Sequence, residues 1–247
     1  MLHFGLECGE SASLGNKISQ DILNDYSAVL FQGIEGVDKD QSKAIELCRE
    51  VAGFGNESAK KNLPLFLFDY AVDLFSGVGV EEKDMPKAIA LMQEASTVGK
   101  GDTRRDFIGA LGEFFNTYAA MLHGRNNIGK DIPRAIEFFR KSFELGDESA
   151  QFNFPNSLNT YACGLFHGGN GIEKDMSKAI QLFREAVMLG DRSARLNLPV
   201  NLNAYAVMFF QGSNGVEQNI PKAIELFQEA ASLGNPDAIR MLASLNR

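Results

Sequence analysis

From Ala223 to Ala231 the apolar residues fall at Ala223, Ile224, Leu226, Phe227, Ala230 and Ala231. That i, i+1, i+3, i+4, i+7, i+8 order is the pattern of a helix with one buried face. The order recurs along the chain. Aligned on Lys-Ala-Ile, or Arg-Ala-Ile in the third copy, the repeats begin this helix at Lys43, Lys87, Arg134, Lys178 and Lys222, spaced 44, 47, 44 and 44 residues apart. Ten residues earlier stands Gly33, Gly77, Gly124, Gly168 or Gly212, and twelve residues later Gly55, Gly99, Gly146, Gly190 or Gly234. A second helical pattern precedes each first glycine, as in "LNAYAVMFFQG", where Leu202, Tyr205, Ala206, Met208 and Phe209 share a side. Each repeat thus predicts a pair: helix A, holding one of the five tyrosines (Tyr26, Tyr70, Tyr118, Tyr161, Tyr205), then helix B.

The residues between the helices fit that reading. Asp40, Asp84, Asp131, Asp175 and Asn219 lie three positions before the aligned Lys or Arg, where a side-chain oxygen caps a helix N-terminus. Pro86, Pro133 and Pro221 follow in the first turn, where a missing N–H costs nothing. Helix B is expected to stop at the glycine of "LG", which turns left-handed without strain. A small residue follows every tyrosine (Ser27, Ala71, Ala119, Ala162, Ala206), so a neighbouring helix can approach there, and the tyrosines themselves read as core with the hydroxyl at its edge. From closing to opening glycine the junctions run 18, 22, 25, 22 and 22 residues. Steps of four and three are close to one helical turn and so predict a longer helix with its apolar side unchanged. Pro64, Pro155 and Pro199 either start helix A after a short preceding turn or kink a longer one.

One loop, "GRNNIGKD" from Gly124 to Asp131, has the glycine and lysine spacing of a phosphate-binding loop. Its counterparts in the other repeats lack that spacing, a helix precedes it where a strand is needed, and Asp131 replaces the hydroxyl residue that helps hold magnesium. It reads as a turn between helices.

The stretch "YAVMFFQGSNGVEQNIPKAIELFQEAASLG", Tyr205 to Gly234, and its four counterparts resemble the Sel-one-like repeats, relatives of the tetratricopeptide repeat. The chain departs from the family pattern where tyrosine replaces a leucine, alanine a glycine, and Leu30, Leu74, Met121, Leu165 and Phe209 a tyrosine. The resemblance implies an all-α fold, a right-handed α-α superhelix (solenoid) of about five helix pairs with A helices on the concave side, acting as a scaffold or adaptor for other proteins. We expect a single domain over 1–247: a half-repeat helix at 1–15, repeats at 16–55, 56–99, 100–146, 147–190 and 191–234, and a terminal helix at 235–247. Helix pairs of this kind bury their apolar sides only against neighbours. The half-units serve as caps, belong to a longer array, or associate.

Composition narrows the function further. A net charge of −8 and few clustered Lys or Arg speak against nucleic acid. The first residues have no basic and apolar leader pattern, and no run of eighteen apolar residues follows, so membrane insertion is not expected and the cytoplasm is the default location. Cys8, Cys48 and Cys163 are too scattered for a disulfide framework or a metal knuckle. No cofactor, metal or catalytic residue is expected: His123 and His167 precede turn glycines with no ligand spacing around them, His3 stands alone, and HExxH and GxSxG are missing. Cysteine-rich members of the family are associated with β-lactam binding or hydrolysis, but their paired cysteines have no counterpart here. That leaves hydrolysis as a lesser alternative, beside a self-associating structural array.

The candidate partner site is a row two positions before each tyrosine: Asn24, Phe68, Asn116, Asn159 and Asn203. A carboxamide both donates and accepts, as an extended peptide backbone requires, and one per repeat would track a groove. Alternatively these asparagines bridge adjacent A helices or meet solvent.

Overall fold

The computed structural model describes residues 12, 15–34, 36–80, 82–125, 131–168 and 171–245. Its elements are all helical: α1 (Lys17–Gln32), α2 (Gln41–Gly53), α3 (Glu57–Ser76), α4 (Met85–Val98), α5 (Gly101–Ala120), α6 (Ile132–Glu144), α7 (Glu148–His167), α8 (Met176–Met188), α9 (Arg192–Gln211), α10 (Ile220–Ser232) and α11 (Pro236–Leu245). Odd numbers through α9 are the tyrosine-bearing A helices, even numbers the B helices. The helical repeat expected from the periodicity is what forms.

The B-helix caps form as the sequence predicts. Asp40, Asp84, Asp131, Asp175 and Asn219 each accept from the backbone N–H three residues on, at 2.9–3.1 Å. Their own N–H groups donate back to the carbonyls of Leu30, Leu74, Leu122, Leu165 and Phe209, which closes every A-to-B turn in the same way. In the third repeat the acceptor shifts by one, from the aligned Met121 to Leu122. The extra residues of that long junction form a π-turn over Met121–Arg125 instead of extending the α-helix as expected. The four-residue step does behave as predicted, since α1 has 16 residues and α3 has 20. Of "GRNNIGKD", residues 126–130 lie outside the described residues, as do Cys8, His3 and most of the 1–15 half-unit.

The A helices start earlier than the prolines. Asn16, Asn56 and Asp191, each one residue past a turn glycine, cap α1, α3 and α9, so Pro64, Pro155 and Pro199 lie inside continuous helices. At the B-helix ends, Gly55, Gly190 and Gly234 take φ of 100°, 90° and 88° just past the capping residue. Gly99 departs from the expectation: it is extended at φ −62°, and the positive φ passes to Gly101.

Contacts divide the chain into two compact units, residues 1–118 with 144–147 and residues 119–143 with 148–247. In the first, α3 packs on α2 and α4, and α1 on α2. Leu67, Ala71, Cys48, Val51 and Met92 are fully buried between them. Aromatic stacks join A helices: Phe31 on Phe66 at 4.3 Å, Phe68 on Phe107 at 4.9 Å and Phe75 on Phe114 at 3.9 Å between ring centres. In the second, Phe154, Leu158, Phe183, Leu202 and Phe227 form the core where α7, α8, α9 and α10 meet. The small residue after every tyrosine is fully buried, as close helix approach demands. The tyrosines are less uniform than expected: Tyr118 and Tyr161 are buried, Tyr70 and Tyr205 half-buried, and Tyr26 is exposed.

One ion pair recurs with the repeat inside each unit. Along the B helices, Arg49 meets Glu94 at 2.9 Å, Arg140 meets Glu185 at 2.7 Å and Arg184 meets Glu229 at 2.5 Å. These side chains are partly open to water, so each pair contributes about 0.2–1 kcal/mol. No helix among the described residues is long and apolar enough to cross a membrane.

Candidate functional site

The asparagine row does not present one continuous edge. Asn24 is buried and its Oδ1 accepts from Asn62 Nδ2 at 3.2 Å; Asn159 is buried and its Oδ1 accepts from Asn197 Nδ2 at 2.9 Å. Asn62 and Asn197 belong to the next A helix, two positions before Pro64 and Pro199. The carboxamides therefore tie consecutive A helices together, the bridging role held open above, and the prolines mark the register of the donor. Asn116 and Asn203 are half-buried. Phe68, which breaks the asparagine series, is half-buried and has its ring face against Phe107.

Phe68 also lines a groove of about 410 Å³ in the first unit. Phe31 and Val72 complete an apolar wall, and Asp69, Asp73, Lys39 and Gln41 form the rim. Helices α1 and α3 supply the wall, while Lys39 comes from the turn into α2 and Gln41 opens that helix. Asp73 Oδ2 accepts from Gln41 Nε2 at 2.8 Å and lies 3.5 Å from Lys39 Nζ. Asp69 is one helical turn earlier and open to solvent. The apolar wall beside it, and then the charge of Asp73, push its carboxyl above the ordinary aspartate value.

Lys39 and Gln41 also border a second, more polar cleft of about 660 Å³, lined by Ser42, Tyr70, Lys83 and Lys87. Lys87 Nζ stands 5.0 Å from the Tyr70 ring centre, 3.1 Å from its hydroxyl and 3.4 Å from Ser42 Oγ; the two hydroxyls are 3.1 Å apart. Serine beside lysine invites a nucleophile-and-base reading. Here Lys87 Nζ is shared between both hydroxyl oxygens, and the longer of the two contacts is the one to Ser42. The cluster instead joins α2, α3 and α4. Lys178 repeats part of it, 5.8 Å from the Tyr161 ring. Sequence spacing carries the signal, because the aligned Lys follows the tyrosine by 17 residues in four of the repeats.

The histidines take helix-end positions, with Phe139 beside His123 and Phe166 beside His167. Among the described residues no three His, Cys, Asp or Glu side chains group as metal ligands. Cys48 is buried and Cys163 half-buried, both as free thiols. Burial pushes the Cys48 thiol up to about 11.

Comparison with known proteins matches the Sel1 repeat to residues 23–50, 66–100, 116–147, 160–191 and 202–235. Among solved structures, a Sel1 repeat protein from Oxalobacter formigenes is 22% identical over 94% of this chain and 79% of that one, with a TM-score of 0.29. The protective antigen c5321 of uropathogenic Escherichia coli, described as displaying an SLR fold, is 18% identical over 98% and 67%, with a TM-score of 0.27. Helicobacter pylori cysteine rich protein B is 24% identical over 66% and 98%, with a TM-score of 0.26. No curated protein matches the chain significantly.

Proposed function

From its membership in the Sel1 repeat family, to which this chain belongs, we propose that it is a non-enzymatic scaffold that binds a partner polypeptide along its A helices. Proteins of this family generally serve as scaffolds for protein–protein interaction. The observation that carries the reading is the groove over α1 and α3, where Phe31, Phe68 and Val72 offer an apolar wall beside a polar rim. A preformed concave surface of that composition suits a side chain of a partner better than it suits a bond-breaking step. In this reading Phe68, Asn116 and Asn203 belong to the contact surface, while Asn24 and Asn159 set the spacing of the helices beneath it.

The test is affinity capture with the intact chain, with Phe68→Ala and with Asn203→Ala, each checked for folding by circular dichroism. A partner retained by the intact chain and lost by Phe68→Ala supports the reading. Identical retention by all three removes the A-helix face from consideration.

A further inference from the structure

We infer that the groove over α1 and α3 receives an arginine or lysine side chain of the partner polypeptide, its methylene stem on Phe68 and Val72 and its cation between Asp69 and Asp73. The inference rests on the proposed role as a polypeptide-binding scaffold and names the chemistry of the occupant.

The wall is fixed before anything binds. Phe68 is held by its stack on Phe107, and Phe31 by its stack on Phe66. The rim has one carboxylate already positioned and one unspent. Asp73 is anchored through Oδ2 by Gln41 and Lys39, whereas the Asp69 carboxylate has no hydrogen bond or ion pair among the described residues. The two acids are four residues apart on one helix, so they are neighbours on its surface and repel each other. A cation placed between them removes that repulsion. A flat or tetrahedral cation on an aliphatic stem is the one common side-chain type that satisfies both the apolar wall and the acidic rim.

The repeat itself shows that folding does not call for these acids. One residue before the tyrosine, where the second repeat has Asp69, the first has Asp25 and the third to fifth have Thr117, Thr160 and Ala204. Three residues after it, where the second has Asp73, the others have Val29, Met121, Gly164 and Met208. Only the second repeat combines the acid pair with Phe68 in place of asparagine. A net charge of −8 further favours encounter with a cationic partner.

The experiment uses the full chain and two fluorescein-labelled heptapeptides of alternating leucine and arginine, the second with citrulline, the uncharged isostere, in place of each arginine. Binding is followed by fluorescence anisotropy. The expected result is that the arginine peptide binds about tenfold tighter or more, as suits a charge-assisted pair in a sheltered site. Asp69→Asn erases the difference. Glu217→Gln, an exposed acid in a turn of the other unit, keeps it. Val72→Arg, which lays a cationic stem of the protein's own across the groove, abolishes binding of both peptides. Equal weakening by Asp69→Asn and Glu217→Gln overturns the inference, since the charge then acts from a distance. If the two peptides bind alike and both are lost with Val72→Arg, the groove remains a polypeptide site but not one for a cation. If neither peptide binds, or Val72→Arg changes nothing, the cation site and this groove's role in the scaffold both fall.

Discussion

Replacing Asn159 by alanine removes the oxygen that Asn197 Nδ2 reaches at 2.9 Å, at a site only 7% exposed. A net hydrogen bond is worth about 1 kcal/mol, and leaving a sheltered partner unsatisfied raises the loss to about 1–3 kcal/mol. Asn197 is half-buried, and its Nδ2 has a weak second acceptor in Cys163 Sγ at 3.7 Å, which places Asn159→Ala in the lower half of that range, at about 1.5 kcal/mol. Asn197→Ala abandons the same bond from the other side and costs a similar amount. Once either partner is gone the second loss is smaller, so the double variant is expected at about 2 kcal/mol, a coupling of about 1 kcal/mol. Urea unfolding followed by circular dichroism measures all four proteins, with equal m-values as the condition for comparing them. Tyrosine emission gives a second probe, since the chain has no tryptophan. Additivity of the two single variants to within about 0.5 kcal/mol would refute the claim that these carboxamides join neighbouring A helices.

Phe227 is fully buried in the core of the second unit, so Phe227→Ala is expected to cost about 3–5 kcal/mol and to lower amide protection across α9–α11 more than across α1–α4, as hydrogen exchange will show. Gly33 has φ 69°, and a Cβ there would stand 2.7 Å from Lys39 Cβ; Gly146 has φ 84° with nothing within 4 Å. Gly33→Ala should therefore lose more stability than Gly146→Ala, whose loss is the left-handed strain of about 1–2 kcal/mol alone. Cys48, with its thiol pushed up to about 11 from 9.0, keeps its proton in the folded chain while the unfolded thiol ionises, so the unfolded state holds fewer protons between those values. Stability from this group is present below pH 9 and lost toward pH 11, by about 3 kcal/mol, and the stability difference between the natural chain and Cys48→Ala should narrow across that window. Arg184→Ala, which breaks a partly exposed pair with Glu229, is expected to cost about 0.2–1 kcal/mol and less in high salt.

The helix pairs were legible because the forces that define them are local. Asp175 caps α8 three residues on, and the apolar spacing from Ala223 to Ala231 needs no knowledge of any distant residue. The starts of the A helices stayed open in the sequence for an equally physical reason: Pro64, Pro155 and Pro199 can begin a helix or lie inside one, and the caps Asn16, Asn56 and Asp191 just past the glycines show the earlier start only once the backbone is seen. The candidate site was only half legible. Alignment sets Asn24 and Asn159 in one row, but whether a carboxamide meets a partner or a neighbour depends on how α1 stacks against α3 and α7 against α9, and Asn62 and Asn197 are 38 residues away from their acceptors. Asp69 and Asp73 went unnoticed because two acids one turn apart on a helix look like an ordinary solvated face.

Periodicity separates what the fold needs from what it leaves available. The capping oxygens, the carbonyl of Leu30 and its counterparts, the buried small residue after each tyrosine and the Arg–Glu pairs between B helices recur because each repeat must attach to the next in the same way. A residue held in common by that demand has little freedom to recognise anything else. Recognition can enter where a repeat departs from its siblings without harm to the stack, and the second repeat does so at Phe68 and Asp73, which with Asp69 stand on one helix and around one groove. The departure from the asparagine row is thus the more informative part of that row. The same logic explains why Asp69 is tolerated beside Asp73 on α3: Asp73 is held by Gln41 and Lys39, the repulsion between the two acids is small enough for the repeat to absorb, and a cationic side chain docking there would turn it into attraction.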